Sequence, residues 1–150
     1  KGDFIVDYAH TVQAYKNIYK DFKMNKKICT LFGCGGDRDK AKRKMTSKIV
    51  DQFSSKIIIT EDNSRTERFK KIVNDILKGI KNLDKVKIIR SRKNAIKYML
   101  QTSSDDRLNF ILGKGNENYI LENNKKLKHN DVIYLKNILR NYEYKAIKDC

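Results

Sequence analysis

The sequence predicts an α/β fold, a Rossmann-like three-layer domain on a mostly parallel sheet of about six strands. Three observations predict it. Short apolar, β-branched runs alternate with stretches of helical period from one end of the chain to the other. Glycine- and charge-rich loops follow the apolar runs, where open parallel sheets place their ligands. The 150 residues, 39% of them hydrophobic, suffice to bury one core in one domain.

The elements follow in order. A first strand is expected over Phe4–Asp7, where Ile5 and Val6 are β-branched, and then a helix over Val12–Lys23. Tyr15 and Tyr19 recur there at helical spacing, which marks a core face rather than a stacking platform. The apolar run Lys27–Phe32 is a strand, the lysine-rich stretch Ala41–Phe53 a helix, and Lys56–Thr60 a strand of three consecutive isoleucines. A helix over Glu67–Lys78 carries Ile72 and Ile76, with Ile80 continuing the interval. Strand Val86–Ile89 leads to helix Arg92–Thr102, whose apolar face holds Ala95, Tyr98 and Met99. Strand Asn109–Leu112 precedes an irregular or hairpin segment over Tyr119–Leu127, with its tip at Asn123–Lys126. A last helix is expected over Asp131–Asn141.

Composition narrows the class. Lys and Arg total 34 against 18 Asp and Glu, a formal charge of +16, which raises nucleic acid as a partner. The lysines are nevertheless scattered along every predicted helix instead of forming one stripe, so a solvated surface is favoured over a nucleic-acid footprint. Cys29, Cys34 and Cys150 lack a Cys-x-x-Cys pair and have only His10 and His129 to help them, so neither a zinc site nor a disulfide framework is expected. Cys34 is a filler of a tight loop or, with no partner base in sight, an unsupported nucleophile. No apolar stretch approaches the ~20 residues of a membrane span. The chain enters its first strand almost at once, with no charged-then-apolar leader, and is expected to be a piece of a longer cytoplasmic protein.

Four polar loops fall at the carboxyl ends of predicted strands: Asp7-Tyr8-Ala9-His10, Gly33–Lys40 (GCGGDRDK), Glu61–Arg65 and Gly113–Glu117. Any one of them is explained by helix caps and turns. Together they offer Arg38 and Arg65 to carboxylates, Asp62 and Glu117 to a cation, and Asn63 with backbone amides to hydrogen bonds. That is the complement of a zwitterion, since arginine forks a carboxylate while paired carboxylates surround an ammonium. Neither glycine loop has the spacing of a phosphate or dinucleotide loop.

DYAHT at 7–11, FGCGGDRDK at 32–40, the tetrad Asp62-Asn63-Ser64-Arg65 and Gly113-Lys114-Gly115-x-Glu117 resemble, in order and spacing, the C-terminal domain of the Mur ligases over essentially the whole chain. The resemblance is to the branch that adds meso-diaminopimelate to UDP-MurNAc-L-Ala-D-Glu in peptidoglycan synthesis. It implies a cytoplasmic, ATP-dependent, ADP-forming acid–amino-acid ligase that works through an acyl phosphate. ATP and Mg2+ would be held mainly by a central domain, and the UDP-MurNAc-dipeptide by an N-terminal one, neither of which lies in residues 1–150. This chain would then be the amino-acid-binding domain, inactive alone, with no certain catalytic residue and no metal ligand of its own.

Carried over by position, Arg38 would hold one carboxylate of the incoming amino acid, and Asp62, Asn63, Ser64 and Arg65 would line its far end, with Arg65 forking the distal carboxylate. The Gly113 carbonyl and Glu117 would hold the distal ammonium, and Asp7, Tyr8 and His10 would approach ATP. Lysine lacks a distal carboxylate, so Arg65 argues for diaminopimelate over a lysine-adding relative, and the four-loop set argues against a folylpolyglutamate synthetase. A basic nucleic-acid-binding module is the alternative of another class. Val12, Lys44 and Ser64 stand where the family usually has proline, and Asn116 where it has histidine. Each lost proline loosens the unfolded chain by roughly 0.4–1 kcal/mol where the native φ suited it.

Overall fold

Strands β1 (Asp3–Asp7), β2 (Lys27–Phe32), β3 (Lys56–Ile59), β4 (Val86–Ile88) and β5 (Arg107–Leu112) pair in parallel in the order β1-β5-β2-β3-β4. The computed structural model describes residues 2–22 and 26–148, with side chains as far as 141. Lys23, the predicted end of the first helix, and Cys150 lie outside the described residues.

Side chains that alternate along each strand feed two cores. Ile57, Ile59, Phe32, Leu108, Phe110 and Leu112 face a layer made by α1 (Val12–Asp21), α2 (Lys40–Phe53) and α3 (Phe69–Leu77). Cys29, Leu31, Ile58 and Ile111 face the other layer, α4 (Arg92–Gln101) and α5 (Asp131–Lys148). A strand covered on both sides reads as a continuous apolar run, which is why Ile57-Ile58-Ile59 is buried throughout. Thr11, Asp39 and Ser91 cap α1, α2 and α4 by accepting from Ala14, Ala41 and Asn94 N–H groups. Each such cap is worth about 1 kcal/mol.

The sheet therefore has five strands rather than about six. The remaining β structure is a separate antiparallel hairpin, β6 (Tyr119–Glu122) and β7 (Lys125–Lys128). Its tip is the two-residue turn Asn123-Asn124, both at positive φ (47° and 59°), so Lys125 and Lys126 are paired strand residues and not part of the tip. Helix α3 starts at Phe69, two residues after the predicted Glu67, because Glu67 N–H closes a turn onto the Ser64 carbonyl and its carboxylate is drawn to Arg43. Helix α5 runs past the predicted Asn141 to Lys148.

Neighbouring strands β2 and β5 send their chains to opposite faces, one to α2 and the other through the hairpin to α5. Adjacent parallel strands that diverge in this way leave a crevice at their carboxyl ends. Among the described residues no helix is long and apolar enough to cross a membrane.

Candidate functional site

A cavity of about 440 Å³ opens at that crevice, and all four polar loops reach it. The loop after β2 is pressed against the loop after β3. A Cβ on Gly36 would lie 1.8 Å from the Ser64 carbonyl oxygen, so only glycine fits. The Gly36 N–H donates to the Asn63 carbonyl (2.8 Å) and the Asp37 N–H to Glu67 Oε2 (3.1 Å). These two amides are spent on the protein itself and are not offered to a ligand. Asp37, at φ 52°, accepts in return from the Thr66 N–H and hydroxyl.

Arg43, buried on α2, anchors the turn from below. Its Nη2 donates to the Gly35 carbonyl (2.9 Å) and Glu67 Oε2 (2.6 Å), its Nη1 to Glu67 Oε1 (2.8 Å) and Asp75 (3.1 Å). The Arg43 hydrogen bonds hold the Glu67 carboxyl down at about 2. Arg38, raised on the turn, is exposed at the cavity rim and has no hydrogen bond or ion pair within the described residues.

Arg65 adopts φ 53° and is clasped by the hairpin, donating N–H to the Leu121 carbonyl and accepting from Asn123 N–H. Its Nη1 donates to the Gly36 (2.8 Å) and Asn63 (3.1 Å) carbonyls, while Nη2 and Nε have no acceptor among the described residues. Asn63 is held by Leu121 N–H on Oδ1 (2.9 Å) and donates to Glu117 (3.2 Å). Asp62 accepts its neighbour's N–H on Oδ1, and its Oδ2 has no hydrogen-bond donor among the described residues. A Cβ on Gly113 would come within 2.9 Å of that oxygen.

Lys114 is fully buried beneath this group. Its Nζ donates to Glu117 Oε2 (2.5 Å) and Asn63 Oδ1 (3.0 Å) and lies 3.4 Å from Asp62 Oδ1. Tyr8 donates its hydroxyl to Glu117 Oε1 (3.3 Å), and that carboxylate raises the phenol's pKa. The Tyr8 and His10 rings meet at 4.7 Å.

The loops are pinned from the opposite layer by Arg92 at the start of α4. It forks Asp131 (2.8 and 2.7 Å) and donates to the carbonyls of Glu61 (3.3 Å) and Leu112 (3.0 Å), the residues just before Asp62 and Gly113. His129 also meets Asp131 (2.6 Å). Burial would raise the Asp131 carboxyl, but the Arg92 charge and hydrogen bonds outweigh it and hold it well below the usual carboxylate range.

The cavity thus brings together Tyr8, His10, Arg38, Asp62, Asn63, Arg65, Gly113 and Glu117. It does not gather Asp7, whose carboxylate caps Ala9 N–H (2.7 Å), nor Ser64, which is buried with its carbonyl against Gly36. Cys34 lines the cavity, but burial and Asp62 push its thiol up to about 12, which leaves no thiolate for attack at neutral pH. No cluster of metal-ligating side chains occurs among the described residues. Sequence reasoning missed Arg43, Glu67, Arg92, Lys114 and Asp131. The four charged helix and loop residues look like ordinary surface charge in one dimension, and Lys114 alone carried a signal, standing between two glycines.

Residues 1–115 match the family model described as Mur ligase, glutamate ligase domain. The UDP-N-acetylmuramoyl-L-alanyl-D-glutamate--2,6-diaminopimelate ligase of Wigglesworthia glossinidia brevipalpis is 47% identical over 137 residues, covering 90% of this chain and 28% of that protein. The ligase of the same name from Helicobacter pylori (strain J99 / ATCC 700824) is 43% identical over 127 residues, covering 85% of this chain and 28% of that protein. A solved structure of a UDP-N-acetylmuramoyl-L-alanyl-D-glutamate--2,6-diaminopimelate ligase superposes with a TM-score of 0.86 at 32% identity, over 93% of this chain and 29% of that one. A folylpolyglutamate synthase from Thermotoga maritima shares the fold, with a TM-score of 0.56 at 17% identity over 73% of this chain and 24% of that one. The chain spans less than a third of the length of these relatives.

Proposed function

Because this chain belongs to the Mur ligase family and matches its glutamate ligase domain, we propose that it supplies the amino-acid pocket of a ligase that adds meso-diaminopimelate to UDP-MurNAc-L-Ala-D-Glu. The observation that carries this reading is Arg65, tied down through Nη1 alone, beside a group of acceptors that includes Asp62 Oδ2. A fixed guanidinium next to ammonium acceptors fits the amino-acid end of a zwitterion, with carboxylate on Arg65 and ammonium on Asp62, Glu117 and the Gly113 carbonyl. Arg38 at the rim is free to meet the ligand's other carboxylate. Binding at both ends orients the nucleophilic amine toward an acyl phosphate presented by the remaining domains, which lowers the entropic part of the barrier.

ATP and Mg2+ are assigned to those remaining domains. The turn amides of Gly36 and Asp37 already have acceptors, and two of the site carboxylates already share Lys114, so the residues present do not fit a triphosphate with its metal. Tyr8 and His10 are the residues of this chain offered to a nucleotide when the domains close. In the full-length enzyme, Arg65→Ala should raise the KM for meso-diaminopimelate about 30-fold or more, as loss of a buried charge-assisted contact costs ~2 kcal/mol or more. The KM for ATP should stay within a factor of about three. An unchanged KM for the amino acid would overturn the assignment.

A further inference from the structure

Resting on the amino-acid reading, we propose that Lys114 is a positioning residue that fixes the two acidic side chains of the ammonium seat and sets the seat's net charge to a single negative charge. A buried ammonium is costly unless each of its three N–H groups finds an acceptor. Lys114, fully buried, has three oxygens from two different loops, on Glu117, Asn63 and Asp62. The backbone is built to put it there. Gly113 (φ 110°) and Gly115 (φ 50°) flank it in conformations that side chains rarely adopt, and a Cβ on Gly115 would lie 2.9 Å from Tyr8 Cβ.

The consequence appears when lone pairs are counted. A carboxylate offers about four acceptor positions. On Glu117, Lys114 and Asn63 occupy Oε2 and Tyr8 meets Oε1, which leaves one position on Oε1. On Asp62, Lys114 and the Asn63 N–H take Oδ1 and leave Oδ2. Two carboxylates and one lysine leave one unit of negative charge, matched to one ligand ammonium. Without Lys114 the two carboxylates would repel each other and lose the common donor that orients them.

The test uses the full-length ligase. Lys114→Met keeps the volume and removes the charge, and should raise the KM for meso-diaminopimelate about 10-fold or more while the ATP KM and kcat stay within about three-fold. Lys114→Ala opens room for a small cation, so added ethylammonium should recover most of the lost affinity and ethanol should not. A purely structural lysine predicts the reverse pattern: an unchanged KM in Lys114→Met, or a rise in KM in Lys114→Ala that ethylammonium does not relieve, and either result overturns the proposal. A normal response to Arg65→Ala with no response to Lys114→Met refutes Lys114 alone. Equal use of meso-diaminopimelate by wild type and Arg65→Ala refutes the underlying substrate reading instead.

Discussion

Replacing Arg92 by methionine should destabilise the domain strongly. The guanidinium is buried and gives two hydrogen bonds to Asp131 and one each to the Glu61 and Leu112 carbonyls. Removing one partner of a buried ion pair strands the other charge, at a cost of about 3–5 kcal/mol. Asp131 keeps its contact with His129 but is fully buried, so the middle of that range, ~4 kcal/mol, is expected. At about 3 °C per kcal/mol for a chain of this size, Tm should fall by about 12 °C, read by far-ultraviolet circular dichroism. The double variant Arg92→Met/Asp131→Leu buries no charge and should be more stable than Arg92→Met, with a coupling energy of ~2 kcal/mol or more. A Tm drop under about 3 °C, or a cycle additive within ~0.5 kcal/mol, would refute the buried-pair reasoning.

Two further outcomes follow from the site's supports. The Glu67 carboxyl, held at about 2 against 4.5 when free, contributes stability that is complete above pH 4.5 and lost as pH falls through about 2. Urea midpoints of the wild type should therefore decline across that window, and Arg43→Met should flatten the part of the decline due to Glu67; identical slopes would count against the pair. Gly36→Ala would drive a methyl into the Ser64 carbonyl, so the two loops must part. A loss of ~1–3 kcal/mol and a raised amino-acid KM are expected, and a variant with wild-type Tm and KM would show that the loops are not in contact.

The element order was legible because it depends on local pattern. Ile57-Ile58-Ile59 reads as a doubly covered strand and Ile72 and Ile76 as a helix face whichever partners they find, and both are buried. The four loops were legible as a group because each follows a predicted strand and carries glycine, arginine or acidic residues. Their candidate chemistry, a zwitterion held between Arg65 and the acids, needed only residue types and order.

What supports that chemistry was not legible. The chain alone determines that Asp62, Arg65, Gly113 and Glu117 lie after parallel strands. It does not determine that β5 inserts between β1 and β2, which is what opens the crevice beside Gly33 and Gly113. Nor does it distinguish Arg43 and Arg92 from the other charged residues of a chain at +16, and the glycines on either side of Lys114 mark its place without showing that it is buried. Burial and partners are set by contacts between residues as far apart as Arg92 and Asp131, or Lys114 and Asp62. Periodicity is a property of neighbours along the chain and survives in the sequence, whereas the desolvation of a charge exists only once distant segments have closed around it.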